Sequence, residues 1–295
     1  MKRLLFVLAA AAMVFSLSSS SCQKQDGPTP KGDVVMKPAA TADEAQLILM
    51  ETMTEKPRCT VDGKDYTIQS IELTEGKRYL LAIEEASTKA SGSKILAHKY
   101  TVSENVASLL GALNGAKIEL NGSKVATTLK IGGKTYDLSK AKITKPQNSS
   151  VEGVNAARTW VVDNTLLKID GNGVNVESTF KGCDLHEIAD FAAKNGVNGL
   201  DASQLAGYAV SECIFTGNST LTISFTGALA PAIYGKYDLN KDVFSYKLSL
   251  GGNDILNATA KGTLDFPADQ KAELLLNETI KGYATKLTLY MSAID

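Results

Sequence analysis

The chain has 295 residues, is 44% hydrophobic and is nearly balanced in charge, with 31 Lys plus Arg against 32 Asp plus Glu. That length allows one large domain or two smaller ones, and the apolar content is ample for a core. With no basic excess or long charge run, nucleic-acid binding has no electrostatic support, and a single tryptophan, Trp160, argues against a carbohydrate site of stacked indoles.

Lys2 and Arg3 open the chain with positive charge, residues 4–17 run apolar but for Ser16, and Ser18 to Ser21 lead to Cys22. A charged start, a short apolar core and a small-residue exit are the parts of a secretory signal peptide, here residues 1–21. The apolar run falls short of the ~20 residues a helix needs to cross a bilayer. Ser19-Ser20-Ser21-Cys22 resembles the lipobox of bacterial lipoproteins in the serine-rich form of the Bacteroidota, with Ser19 where the commonest pattern has Leu. The resemblance implies cleavage before Cys22, diacylglycerol and palmitate on that cysteine, and a lipid bilayer as partner. Three acyl chains anchor stably where one is marginal. With Gln23 directly after the cysteine rather than Asp, the expected location is the cell envelope at the outer membrane, on either face.

Residues 22–40 are polar, carry Pro28, Pro30 and Pro38, and have no hydrophobic period. They read as a lipidated tether that, if coil-like, would hold the next domain about 25 Å from the membrane. Thr41-Ala42-Asp43-Glu44 has the form of a capping box, and Leu47, Ile48, Leu49, Met50 and Met53 behind it predict a short helix over 45–54. From residue 58 the period becomes two. Tyr66 and Ile68, Ile71 and Leu73, then Tyr79, Leu81 and Ile83 alternate with polar residues, which is strand patterning. Asp62-Gly63, Glu75-Gly76, Asn121-Gly122 and Gly132-Gly133 supply hairpin turns, where glycine accepts positive φ. More strands are predicted at 98–102, 117–120, 125–131 and 135–138, with 106–113 read as ambiguous and open to a helical turn. Residues 41–145 thus form a helix plus a small antiparallel β domain.

The polar stretch 145–155, also without period, is the predicted boundary. Strands restart at 159–169 and return at 174–180 across the Gly171-Asn172-Gly173 turn. Asp184 is placed to cap a helix carrying Leu185, Ile188, Ala189, Phe191 and Ala192 and ending at Asn195-Gly196. A second short helix is expected over 202–209. Strands then fill 213–215, 220–225, 234–239, 243–250, 257–266, 271–276 and 283–291. About nine strands around a helical insert predict an antiparallel barrel or sandwich over 155–295, in a chain that is mainly β.

Thr159-Trp160 in the opening strand, the early helical excursion, Gly235-Lys236-Tyr237-Asp238-Leu239, and the closing strand from Gly282-Tyr283 to Tyr290 carry a resemblance. Over residues 155–293 the chain resembles the lipocalin-like (calycin-type) lipoproteins of the Bacteroidota. The glycine of the lipocalin G-x-W signature is missing ahead of Trp160. The resemblance implies a small barrel with an apolar interior and brings no catalytic residue with it.

Three cysteines follow Cys22, namely Cys59, Cys183 and Cys213. Disulfides persist in exported proteins. Cys183 and Cys213 flank the helical insert and form the candidate pair, leaving Cys59 odd; three buried thiols are the alternative. The absence of CxxC removes thioredoxin-type exchange and zinc-ribbon readings. His186-Glu187-Ile188-Ala189-Asp190 would place His186 and Asp190 on one helical face with Glu187 as a base, departing from HExxH at the second ligand. Its plainer reading is an acidic first turn favoured by the helix dipole, with a surface His. Asp238-Leu239-Asn240-Lys241-Asp242 begins like a calcium loop but has Val243 and Ser249 where that loop needs Gly and Glu. It reads as an ordinary turn, as does Asp170-Gly171-Asn172-Gly173. No G-x-S-x-G elbow and no glycine-rich strand-to-helix loop occurs, and no metal or cofactor is expected.

The remaining signal is the apolar and aromatic set of the second half: Trp160, Phe180, Phe215, Phe225, Tyr234, Phe244, Tyr246, Phe266, Tyr283 and Tyr290. An eight-stranded barrel either fills its interior with such side chains or holds one small ligand. The sequence points to a non-catalytic binding module for a small apolar or amphipathic ligand. A structural or interaction protein with an envelope partner is the alternative, and a hydrolase using His186 is ranked third.

Overall fold

The computed structural model describes residues 34–85, 94–146, 150–226, 232–240, 243–250, 253–254, 260–280 and 282–294. These residues form two antiparallel sheets, each with its own apolar core. Residues 1–33, which hold the expected signal peptide, Cys22 and most of the expected tether, lie outside the described residues. Among the described residues no helix is long and apolar enough to cross a membrane.

The first unit contains β1 (Gln46–Leu49), β2 (Arg58–Val61), β3 (Lys64–Leu73), β4 (Arg78–Glu85), β5 (Lys94–Ser103), β6 (Val106–Leu109), β7 (Lys117–Leu120), β8 (Ala126–Ile131), β9 (Lys134–Asp137) and β10 (Lys142–Thr144). They make a ten-stranded sheet in the order β10-β1-β3-β4-β5-β6-β7-β8-β9, with β2 paired to β3. The period of two decides its inner face. Ile68, Ile71 and Leu73 stand opposite Ile83, Leu81 and Tyr79, and all six are fully buried. The twist inherent in strands curls so long a sheet around one core, which also takes Tyr100, Leu109, Ile118, Leu129 and Leu138.

The helix expected over 45–54 does not form. Thr41 caps nothing; its Oγ1 donates to the Thr74 and Glu75 carbonyls at 3.0 and 2.7 Å, and Gln46–Leu49 is strand β1 between β10 and β3. An unbroken apolar run suits a strand with partners on both edges as well as a helix. Two flanking strands satisfy its backbone groups, and Ile48 and Met50 alternate into the core. Residues 106–113 divide into strand β6 and a single 3-10 turn, Gly111–Leu113. Tyr79 Oη fixes that turn, accepting from Leu113 N at 3.1 Å.

The second unit opens with α1 (Val151–Ala156), inside the stretch read as a structureless boundary. Then come β11 (Thr159–Gly171), β12 (Val174–Lys181), α2 (Leu185–Lys194), β13 (Ala209–Phe215), β14 (Thr220–Thr226), β15 (Ile233–Asn240), β16 (Val243–Leu250), β17 (Asn253–Asp254), β18 (Ala260–Ala268), β19 (Lys271–Ile280) and β20 (Tyr283–Ala293). Their order is β12-β11-β13-β14-β15-β16-β18-β19-β20, and β20 pairs back onto β11, closing a barrel. The long β11 makes closure possible. On one edge its start pairs with β13 (Trp160 opposite Cys213) and its remainder with β12; the other edge pairs with β20. The architecture is therefore mainly β: an N-terminal antiparallel sheet and a C-terminal antiparallel barrel with a short helical insert.

That insert behaves as its residues require. Asp184 Oδ1 accepts from His186 N and Glu187 N at 2.9 and 3.2 Å, capping α2. Leu185, Ile188, Ala189 and Ala192 then pack into the barrel core. Over 202–209 only a 3-10 turn forms, Ala202–Leu205, before β13 begins. The bond from Val210 N to Cys183 O draws the chain into extended form there.

The end of the stretch expected to be a tether is not free. Met36 is buried and donates its N–H to Asn155 Oδ1 at 2.9 Å, Asn155 Nδ2 donates to Val34 O, and Arg158 Nη2 donates to Lys37 O. Residues 34–39 thus strap the second unit before the chain enters the first, which shortens the free tether expected over 22–40.

Candidate functional site at the seam of the two units

Strand alternation points Glu72, between Ile71 and Leu73, away from the first core, and Glu75-Gly76 forms the β3–β4 turn. The second unit covers them. Glu72 Oε1 accepts from Thr216 Oγ1 at 2.8 Å and from Asn218 Nδ2 at 3.0 Å, and Glu75 Oε1 accepts from Gly217 N at 2.9 Å. The β3–β4 turn therefore grips the β13–β14 turn. Beside it, Arg78 makes a forked pair with Glu212 on β13, Nε to Oε2 at 2.8 Å and Nη2 to Oε1 at 2.5 Å. Thr159 Oγ1 donates to Gly76 O at 3.0 Å. Only glycine fits at Gly76, because a Cβ there would collide with Thr159.

Leu80 and Ile214 lie on outward faces, belong to neither core and are still buried. Their cover must come from outside their own sheets, so the two units pack back to back across this seam. The seam is mostly polar. Among the described residues, Glu75 Oε2 and, on the outer face of β14, Thr222 Oγ1 and Ser224 Oγ are buried without a hydrogen-bond partner.

Burial dominates the electrostatics. It pushes the Glu75 carboxyl up to about 7, with the nearby Glu72 charge adding to the rise and the N–H groups of Glu75 and Gly217 opposing it. Glu72 is raised for the same reason, against the pull of Asn218, Thr216 and Lys236. Burial also raises Tyr234 and Tyr237, and the two carboxylates contribute.

A cleft of about 500 Å³ opens at this seam. Its walls are small and apolar, with Pro38, Ala39, Ala42 and Ala45 from the first part of the chain and Val154 and Ala157 from the second. Glu75, Asp43, Lys124 and Lys145 add polarity. Both lysines are engaged: Lys124 faces Glu44 at 3.6 Å, and Lys145 Nζ donates to the Asp43 and Ser123 carbonyls. A second cleft of about 760 Å³ lies at the mouth of the first sheet, between Lys56, Arg58, Asp65, Lys134 and Tyr136. There Lys56 bonds Gln69 and Lys134 faces Glu55.

The residues singled out by sequence do not gather at either cleft. His186 is exposed on α2, its Nδ1 bonded to Ala202 O, while Asp190 pairs with Lys194. The chain's other histidine, His98, sits half-buried on β5 against Tyr79. Among the described residues no three His, Cys, Asp or Glu side chains are arranged to hold a metal ion. Cys59, Cys183 and Cys213 are buried, free thiols in this structure, the alternative to the candidate Cys183–Cys213 pair. Cys183 sits at the foot of α2 and Cys213 on β13 opposite Trp160, near enough that Cys183 adds to the upward shift of Cys213. Burial pushes these two thiols up to about 11 and about 12, which keeps them protonated and unreactive. Asp238 lies in β15, and Asn172 and Gly173 make the β11–β12 turn; Lys241 and Asp242 fall outside the described residues.

Of the aromatic set, Trp160, Phe180, Phe215 and Tyr283 are core residues of the barrel, and Phe225 and Phe266 pack against them. Tyr237 joins this core, edge-on to Phe215, whereas Tyr234 belongs to the seam. The side chains of Phe244 and Tyr246 lie outside the described residues. Two positions before Trp160, where the G-x-W signature has glycine, stands Arg158, fully buried and bonded to Asn155 O, Gln270 and the strap.

No protein-family model matches the chain, and no curated protein matches it.

Proposed function

We propose that this chain is an exported lipoprotein, anchored at the cell envelope through Cys22, that serves as a non-catalytic binding module for one small amphipathic ligand. The lipocalin-like resemblance by itself would place the ligand in the barrel interior. The observation that carries the reading is instead the cleft at the seam. Its volume falls in the usual range for small-molecule sites, and it combines apolar walls with a few polar groups. Glu75, which lines it, keeps one carboxylate oxygen buried and unpartnered. A ligand with an aliphatic body and a single polar head fits such a lining.

Native mass spectrometry of the full protein, released gently from envelopes, tests this. A small-molecule mass is expected to stay with the wild type and to be lost from Ala42→Trp, whose indole fills the cleft from a half-buried wall position. Retention of the same mass by the variant, or a wild type with no retained mass, would remove the reading.

A further inference from the structure

We infer that the Glu72–Glu75 corner is a proton-operated hinge, holding the two β units closed while its carboxyls are protonated and letting the seam open as they ionise. The inference goes beyond the binding reading and stands whether or not the cleft holds a ligand.

The geometry concentrates the grip of one unit on the other at a few polar contacts. Glu72 holds Thr216 and Asn218, Glu75 holds Gly217, Arg78 holds Glu212 and Thr159 holds Gly76. A seam of this kind lacks the interlocked apolar surface that makes an interface permanent, and relative motion is the default for polar contacts between domains. Ionising Glu75 in place leaves a buried negative charge on an oxygen with no partner. Opening the seam returns it to water and relieves that cost.

The surrounding charges do not cancel this effect. On the β3–β4 turn, Arg78 is already committed to Glu212, and Glu72 carries the same sign as Glu75. From β15, Lys236 bonds Asn218 O and Thr220 Oγ1, while Tyr234 and Tyr237 stay neutral because burial raises both. From β5, Tyr100 is raised likewise and donates to Thr74 O. Near the cleft, Lys124 is balanced by Glu44 and Lys145 is bonded to carbonyls, one of them that of Asp43. Lys77 shares the turn, but among the described residues no cation, Lys77 included, pairs with Glu75. Because Ala42 and Ala45 wall the cleft from the first unit and Val154 and Ala157 from the second, opening at this corner also widens the cleft.

Hydrogen exchange on the full chain tests the hinge, with rates corrected for the intrinsic pH dependence of exchange. The Gly217 amide, which donates to Glu75, is expected to be less protected than core amides of β4 and β20 at every pH. Its opening equilibrium should rise at least about 70-fold from about pH 5 to about pH 8, the share of Glu75 alone. Glu75→Gln should remove most of that rise, and Glu72→Gln combined with Glu75→Gln all of it. A Gly217 amide whose opening is flat with pH, or one as protected as the core amides throughout, would overturn the hinge. The ligand mass read by native spectrometry is independent of both results.

Discussion

Glu75→Gln is expected to stabilise the protein by about 3 kcal/mol near pH 8 and to leave it almost unchanged near pH 4.5. The folded chain raises this carboxyl from its ordinary 4.5 to about 7. The folded state therefore binds the proton more tightly than the unfolded state. Below about 4.5 both states are protonated and Glu75 has no pH-dependent effect. As pH rises through the window from 4.5 to 7, unfolding is increasingly favoured, and above it the full cost of a buried carboxylate is present. Glutamine keeps the shape of the protonated form and cannot ionise, so it removes the cost. Exposed carboxylates act oppositely. Hydrogen bonds hold Glu119, Asp137 and Asp201 below their usual range, so what they contribute is lost as pH falls through their folded values. Urea unfolding at several pH values, followed by the fluorescence of Trp160, measures the difference. Equal stabilities for wild type and variant at pH 8 would contradict a buried, ionising Glu75.

Arg78→Ala should destabilise the protein by about 3–5 kcal/mol, because it strands the partner of a largely buried ion pair. The Arg78 side chain is only 7% exposed and its guanidinium forks onto both oxygens of Glu212, whose side chain is 21% exposed. Much of the loss is the cost of leaving Glu212 covered and unpaired. Replacing both, Arg78→Met with Glu212→Leu, should therefore cost far less than two single losses added together. The double-mutant cycle by urea unfolding gives the coupling directly. A coupling near zero would mean that the two units do not close on each other here.

What the sequence disclosed was whatever a strand or helix dictates by itself. Tyr79, Leu81 and Ile83 alternate because β4 has one inner face, and Asp184 caps α2 through bonds two and three residues away. Signals that depend on distant partners were silent or misleading. The run at Leu47 to Met50 reads as helix or strand until β3 and β10 are known to flank it. Val34-Val35-Met36 is a short apolar run in a stretch that otherwise reads as a proline-rich tether, and only Asn155 and Arg158, more than a hundred residues away, give it a place to dock. The seam was hidden for the same reason. Between Ile71 and Leu73, Glu72 occupies the position that alternation assigns to solvent, and Glu75-Gly76 is an ordinary turn dipeptide. Their burial comes from the second unit, so no local pattern encodes it. His186 stood out through its one-turn spacing to Asp190, and α2 turns it outward because Leu185, Ile188 and Ala189 take the inner face.

The direct test of the seam is a titration of the Glu75 side-chain carboxyl carbon by NMR in the full chain. If the two units bury this carboxyl between them, its midpoint falls at about 7. A midpoint at the ordinary carboxylate value of 4.5 would place Glu75 in water and contradict the seam.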